Sequence, residues 1–183
     1  MLTLWKLIRS KVLGLEQRIL LLEDQGAIVR TLTRYAQCLD YGDEDGFINC
    51  FTADAEYEIR SAQTPQRSGG QRTESGMCYS GREALRAFIQ QHTRAPMVFH
   101  KHVAMNPLVE LEGDHASSVS YILRLDVDLS GTIYVRAFGR YLDRLRRCED
   151  GEWRIECRIA EPEALDLREF RRAALSPEEP LRF

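Results

Sequence analysis

The chain of 183 residues contains no run of some twenty apolar residues, the length a membrane-crossing helix requires. Lys6, Arg9, Lys11, Glu16 and Arg18 interrupt the apolar flavour of residues 1–22, and no small-residue cleavage pattern follows. Neither a membrane span nor a signal peptide is therefore expected. An excess of basic residues is also missing: 25 Lys and Arg face 28 Asp and Glu, a net charge of -3, so no nucleic-acid partner is expected either. The cysteines, Cys38, Cys50, Cys78, Cys148 and Cys157, are odd in number and form no C-x-x-C pair. That pattern fits a reduced, cytoplasmic setting better than a disulfide framework. A glycine-rich phosphate loop is lacking as well, since Ser80-Gly81-Arg82-Glu83 reads as a helix start. Histidine is scarce, and His100-x-His102 resembles only half of a metal site: the next acid on that strand is Glu110, and His115 sits beside the Gly113-Asp114 turn. No metal and no other cofactor is expected on this pattern.

What is present is ordinary for a folded domain: 44% hydrophobic and 29% charged residues in a length that suits one core. Helical spacing of apolar residues runs through Leu4, Leu7, Ile8, Leu15, Ile19, Leu22, Ile28, Leu32, Tyr35 and Leu39, with Gly14 and Gly26 as points where the helix can break. A main helix is expected from about Asp24 to Leu39, stopping near Gly42, and a short one over Phe47 to Phe51. A first strand, Glu56 to Arg60, precedes residues 61–76, which carry no large apolar side chain and read as an exposed loop able to act as a lid. A helix from Ser80 follows, burying Ala84, Leu85, Phe88 and Ile89. Four strands close the pattern, near Met97–Glu112, Ala116–Leu129, Thr132–Arg146 and Trp153–Ala160, joined by short Gly/Asp turns. Helices first and a strand meander last predict an α+β domain with helices packed on a curved sheet.

Alternation sorts the strand residues into faces. Val98, His100, His102, Ala104 and Asn106 share one face of their strand; Ser118, Ser120, Ile122, Arg124 and Asp126 share one face of the next. Alternation alone leaves open which face meets the helices.

Three residues on these elements suggest a chemistry. Asp40 falls near a helix C-terminus, where the dipole disfavours an anion, so its carboxylate should seek a donor or a cation. A histidine that becomes positive during a reaction is such a partner, and a carboxylate on one ring nitrogen makes the other a competent general base. His102 is placed to be that histidine. Tyr35, about 140° around the helix from Asp40, offers a phenol to a carbonyl or a leaving hydroxyl. Each residue has an equally ordinary structural role alone: Tyr35 as core, Asp40 as a turn residue, His102 as a strand position.

The runs Arg34-Tyr35-Ala36-Gln37-Cys38-Leu39-Asp40-Tyr41-Gly42-Asp43, Phe51-Thr52-Ala53-Asp54-Ala55 and Gly81-Arg82-Glu83-Ala84-Leu85 resemble the SnoaL-like branch of the nuclear-transport-factor-2-like superfamily. Later stretches agree: His102-Val103-Ala104-Met105-Asn106-Pro107, Gly139-Arg140-Tyr141-Leu142-Asp143 and Asp150-Gly151-Glu152-Trp153-Arg154-Ile155. The resemblance implies a cone-shaped, cystatin-like α+β barrel over residues 24–160, with a helical extension over 1–23 and a surface tail over 161–183. Within the superfamily, dehydratases and a dehydrochlorinase use an Asp and His pair that falls on Asp40 and His102. Bile-acid dehydratases add a tyrosine in the slot of Tyr35 and an acid near Asp126, a slot that Arg124 can occupy instead. Substrate contacts are implied for Leu39, Ile59, Phe88, Asn106 and Arg124.

The expectation is a cofactor-independent lyase or isomerase acting on a hydrophobic, hydroxylated, carbonyl-bearing compound, in a homodimer or homotrimer. Two other readings stay open: a non-catalytic small subunit of a ring-hydroxylating dioxygenase, and a small-molecule binding module.

Overall fold

The computed structural model describes residues 2–60 and 76–165. The expected lid lies outside the described residues, apart from Gly76, as does most of the expected tail. Helix α1 spans Leu2–Tyr41 as one unbroken element. Gly14 and Gly26 do not interrupt it, because one glycine in a long helix costs only about 1 kcal/mol relative to alanine. Helix α2, Glu44–Asn49, starts on Asp43, whose carboxylate accepts the Gly46 backbone N–H at 2.9 Å. Strand β1 then runs over Phe51–Ile59, so Phe51 opens the strand instead of closing the helix. Strand β2, Met77–Ser80, was not foreseen; it pairs antiparallel with β1 and leads into helix α3, Gly81–Gln91. The meander follows as β3 (His100–Glu112), β4 (His115–Val127), β5 (Ile133–Arg147) and β6 (Trp153–Leu165).

These six strands form one sheet in the order β2-β1-β6-β5-β4-β3, antiparallel except for the β1–β6 pair. Among the described residues two edges, β2 and β3, remain, so the expected barrel is a sheet that does not close. Strand β6 continues past Ala160, the last residue it shares with β1, and beyond that point pairs with β5 alone. Pro162 is tolerated there because it has no β1 neighbour requiring its missing N–H. Opposite it, a Cβ on Gly139 would lie 2.2 Å from the Glu161 carbonyl oxygen, so this close approach requires glycine.

Helix α1 lays Ile28, Leu32, Tyr35 and Leu39 on the inner sheet face, against a buried cluster that includes Tyr141, Leu145, Trp153 and Ile155. The Thr31 hydroxyl donates to the Trp153 carbonyl at 2.8 Å and the Trp153 indole N–H donates to Asp24 at 3.0 Å, tying helix to sheet. The inner face is the one that alternation marks as polar. Ser118, Ser120, Asp126 and Asp143 are buried, whereas Phe99, Val119, Tyr121, Val135 and Phe138 are exposed on the outside.

Candidate active site

Helix α1 ends beside β3, and that junction builds the site. Gly42 adopts φ 72°, the left-handed conformation that stops a helix, and any Cβ there would overlap Arg94. Arg94 donates to the Gly42 carbonyl at 3.3 Å and to Glu44 at 3.0 Å, placing a cation on the negative helix end. Two residues back from Gly42, the Asp40 carboxylate is buried and accepts the His102 backbone N–H at 3.0 and 3.3 Å. Its Oδ1 also receives His102 Nδ1 at 2.7 Å. An ionised carboxylate only accepts, so Nδ1 is the donor, and in the neutral ring Nε2 is the nitrogen that carries the lone pair. The His102 side chain remains 8% accessible.

Two further imidazoles surround this pair. His100 is enclosed, with Nε2 at 3.5 Å from Asp40 Oδ1, and among the described residues neither ring nitrogen has a hydrogen-bond partner. His92, just past α3, donates Nδ1–H to the Thr93 carbonyl at 2.7 Å. Its ring centroid lies 5.2 Å from that of His100 and 5.5 Å from that of His102, and the latter two are 5.3 Å apart. Burial pushes both His92 and His100 down to about 4, helped in His92 by the neighbouring His102 and in His100 by the Arg124 guanidinium. Both rings are therefore neutral at pH 7.

Register on the neighbouring strand completes the surroundings. His100 faces Asp126 across the β3–β4 ladder and His102 faces Arg124. Arg124 holds Asp126 through two bonds, Nε to Oδ1 at 2.8 Å and Nη2 to Oδ2 at 3.2 Å, and Arg136 approaches Asp126 at 3.6 Å. Asp126 is buried while Arg124 keeps 24% of its side chain accessible, so of the two it is the arginine that is open to a ligand.

The remaining expected site residues are distributed differently. Leu39 is buried in the core, and Ile59 and Phe88 pack against it. Asn106 is exposed, with φ 53°, at a bulge between Met105 and Leu108. The extra residue reverses the alternation: His100, His102 and Ala104 face inward before it, Val109 and Leu111 after it. Asn106 thus leaves the inner face on which strict alternation put it.

Tyr35 is fully enclosed, its hydroxyl bonded to that of Tyr57 at 3.0 Å. Its ring lies 4.0 Å from the guanidinium carbon of Arg158, which Tyr141 covers from 4.2 Å. Arg158 in turn holds Asp143 through bonds of 2.7 and 2.8 Å, both side chains wholly buried. Burial raises Tyr35 above its usual range, against the pull of Arg158. Its phenol is therefore committed to a core network, not to a carbonyl as the sequence pattern suggested.

Reasoning from sequence missed His92 and Arg158. A histidine one residue past a helix end was a weak signal for the first. Arg158 was hidden by a register shift between Leu145 and Arg144 on β5, which moves the inward position on β6 from odd to even residues after Ile155.

The SnoaL-like domain model matches residues 21–159. A search of curated proteins finds no match. Among solved structures, an NTF2-like protein with a cystatin-like fold from Novosphingobium aromaticivorans is 26% identical, with a TM-score of 0.66, covering 88% of this chain and 95% of that one. A chain from the same organism, provisionally named the beta subunit of an aromatic-ring-hydroxylating dioxygenase, is 18% identical with a TM-score of 0.67, covering 80% and 94%. Another from that organism, provisionally named a scytalone dehydratase, is 17% identical with a TM-score of 0.60, covering 79% and 87%. The last two likenesses establish the fold alone. Since the family match runs through both α1 and β3, carrying Asp40 and His102 within it, the chain belongs to the SnoaL-like domain family.

Proposed function

We propose that the protein is a cofactor-independent lyase or isomerase in which His102 Nε2 removes a proton from a carbon next to a carbonyl. The observation that carries this reading is the 2.7 Å bond from His102 Nδ1 to a buried Asp40 that also accepts the His102 backbone N–H. That arrangement fixes the ring tautomer and compensates the imidazolium that forms. Arg124, directly opposite His102 in the ladder, is the group assigned to the oxygen where negative charge develops. Asp126 orients it, and Tyr35 supports the fold behind the site. Where a hydroxyl stands β to the carbonyl, its departure as water makes the reaction an elimination; otherwise the proton returns at another carbon. The substrate class is a hydrophobic, hydroxylated, carbonyl-bearing polycyclic or aromatic compound, with the partly buried Ile59 and Phe88 as its apolar contacts and Leu39 as packing behind them.

Residues 24–160 form the working domain in this reading, with 1–23 and 161–183 as additions to it. The exposed apolar residues Phe99, Val119, Tyr121, Val135 and Phe138 on the outer sheet face support assembly into a homodimer or homotrimer. No described helix is long and apolar enough to cross a membrane.

The test is mass spectrometry of β-hydroxy-ketones, steroid hydroxy-enones and aromatic polyketides incubated in heavy water with the native protein and with His102→Ala. Deuterium uptake or water loss that requires His102 is the expected result. Equal exchange by both proteins would remove His102 as the base.

A further inference from the structure

We propose that Asp40, His100 and His102 bind a first-row divalent transition-metal ion, with zinc(II) as the best match, and that filling this site takes His102 out of service as a base. Two of the three donors stand two residues apart on β3; the third comes from the end of α1, about sixty residues earlier in the chain, so the strand alone carries an incomplete set.

The geometry supports the site directly. One donor atom from each of the three side chains lies within 4.8 Å of the other two. Asp40 Oδ1 is 3.5 Å from His100 Nε2 and 2.7 Å from His102 Nδ1. Donors about 2.0–2.1 Å from a tetrahedral ion stand roughly 3.3 Å apart, so the first separation already fits and the second must open by about 0.6 Å. Two imidazoles and a carboxylate suit zinc, cobalt or nickel rather than calcium or magnesium, which prefer all-oxygen shells.

His100 supplies a second, independent observation. Its side chain is completely buried, yet among the described residues neither ring nitrogen has a hydrogen-bond partner. Buried polar atoms without partners are rare, and each calls for an explanation. A metal–nitrogen bond at Nε2 provides one. Imidazoles on one tetrahedral ion place their centroids about 5 Å apart, close to the 5.3 Å between His100 and His102. His92 packs against both rings with its Nδ1–H committed to the Thr93 carbonyl. The fourth position is left to water.

Binding exchanges one bond for others. The ion takes the lone pair of His102 Nδ1, the proton that Nδ1 carried is transferred through solvent to Nε2 so that the ring stays neutral, and the Nδ1–H···Oδ1 bond is lost. Without it the imidazole is no longer held in the tautomer that exposes a basic Nε2. Metal occupancy and proton abstraction at this site therefore exclude each other.

The full chain, stripped with a chelator and with its thiols blocked by iodoacetamide, is titrated with cobalt(II) and followed by visible absorption, then with zinc(II) by calorimetry in two buffers of different ionisation enthalpy. Thiol blocking matters because Cys78 is exposed. The expected result is one equivalent bound, an intense visible band of tetrahedral cobalt, a zinc-dependent rise in melting temperature and, from the two buffers, a net release of well under one proton. His100→Ala should weaken binding at least tenfold and lose the band; His100→Gln, closer in volume, serves if the alanine variant does not fold. No uptake by the native protein, sulfur-to-cobalt charge-transfer bands, or equal affinity in native and His100 variants would overturn the proposal. None of these readouts needs a substrate, so failure of the heavy-water experiment and failure of this one are distinguishable.

Discussion

Helix α1 delivers one side chain to each of two buried polar clusters, Tyr35 to one and Asp40 to the other, and they are built on opposite terms. At Tyr35 it meets Arg158 and Asp143, a permanently charged pair sealed beneath aromatic rings. Five residues on, at Asp40, it meets His100 and His102, with His92 packed against both; His92 and His100 are neutral at pH 7 and His102 is still accessible. A guanidinium and a carboxylate in bidentate contact have one stable arrangement and one charge state. Imidazoles around a carboxylate have several, differing in where protons or an ion reside. The first cluster is suited to holding the fold and the second to chemistry, although both stand on the same helix.

Breaking the core pair should have the largest effect on stability. Arg158→Met leaves Asp143 buried and unpaired, and should cost about 3–5 kcal/mol in urea unfolding, since removal of one partner strands the other charge. Adding Asp143→Leu should recover most of that loss, because a well-packed apolar pair often equals a buried ion pair. No recovery in the double variant would mean that the pair does more than neutralise itself.

The other cluster should behave in the reverse sense. His102→Ala should lower proton exchange by about 10²–10⁴-fold, the usual contribution of a general base, while unfolding shifts by only about 1–2 kcal/mol. Arg124→Met should reduce turnover by about 10²–10³-fold if it steadies the developing oxyanion, with KM less affected than kcat. Tyr35→Phe gives a finer separation. Loss of the bond to Tyr57 should cost about 1 kcal/mol of stability and leave exchange unchanged. A large drop in exchange would return Tyr35 to the chemistry that its sequence position first suggested.

That contrast also explains which parts were legible in the sequence. Asp40 and His102 were recognisable because their residue types, a helix-end acid and a strand histidine, require each other chemically, and that requirement does not depend on distance along the chain. The polar faces of β3 and β4 were legible for as long as strict alternation held. It failed at the Asn106 bulge and again at the shift after Ile155, and each failure moved a residue to the other side of the sheet: Asn106 outward, Arg158 inward. A bulge is decided by the partner strand and by the packing beneath it, neither of which a local pattern records. His92 was hidden for another reason. It enters the site through the loop between α3 and β3, whose path depends on contacts such as Ala95 N–H to the Asp40 carbonyl at 3.2 Å.

The smallest effect falls on Cys38, which lies between Tyr35 and Asp40 on α1 and so can report on both clusters. Burial, followed by the nearby Asp43 carboxylate, pushes its thiol up to about 11, and burial pushes Cys50 up to about 12. A raised thiol pKa means less thiolate at any pH below it, so at pH 8 only about one Cys38 in a thousand is reactive. Iodoacetamide at pH 8 should therefore modify exposed Cys78 first, with Cys38 and Cys50 following only through local opening. Peptide mass mapping over time checks this order. Labelling of Cys38 should accelerate in Arg158→Met, where the core beneath α1 is loosened, and change little in His102→Ala, where the helix keeps its packing. Equal acceleration in both variants would show that the helix end and the core open as one unit, and the two clusters would then be parts of a single cooperative structure.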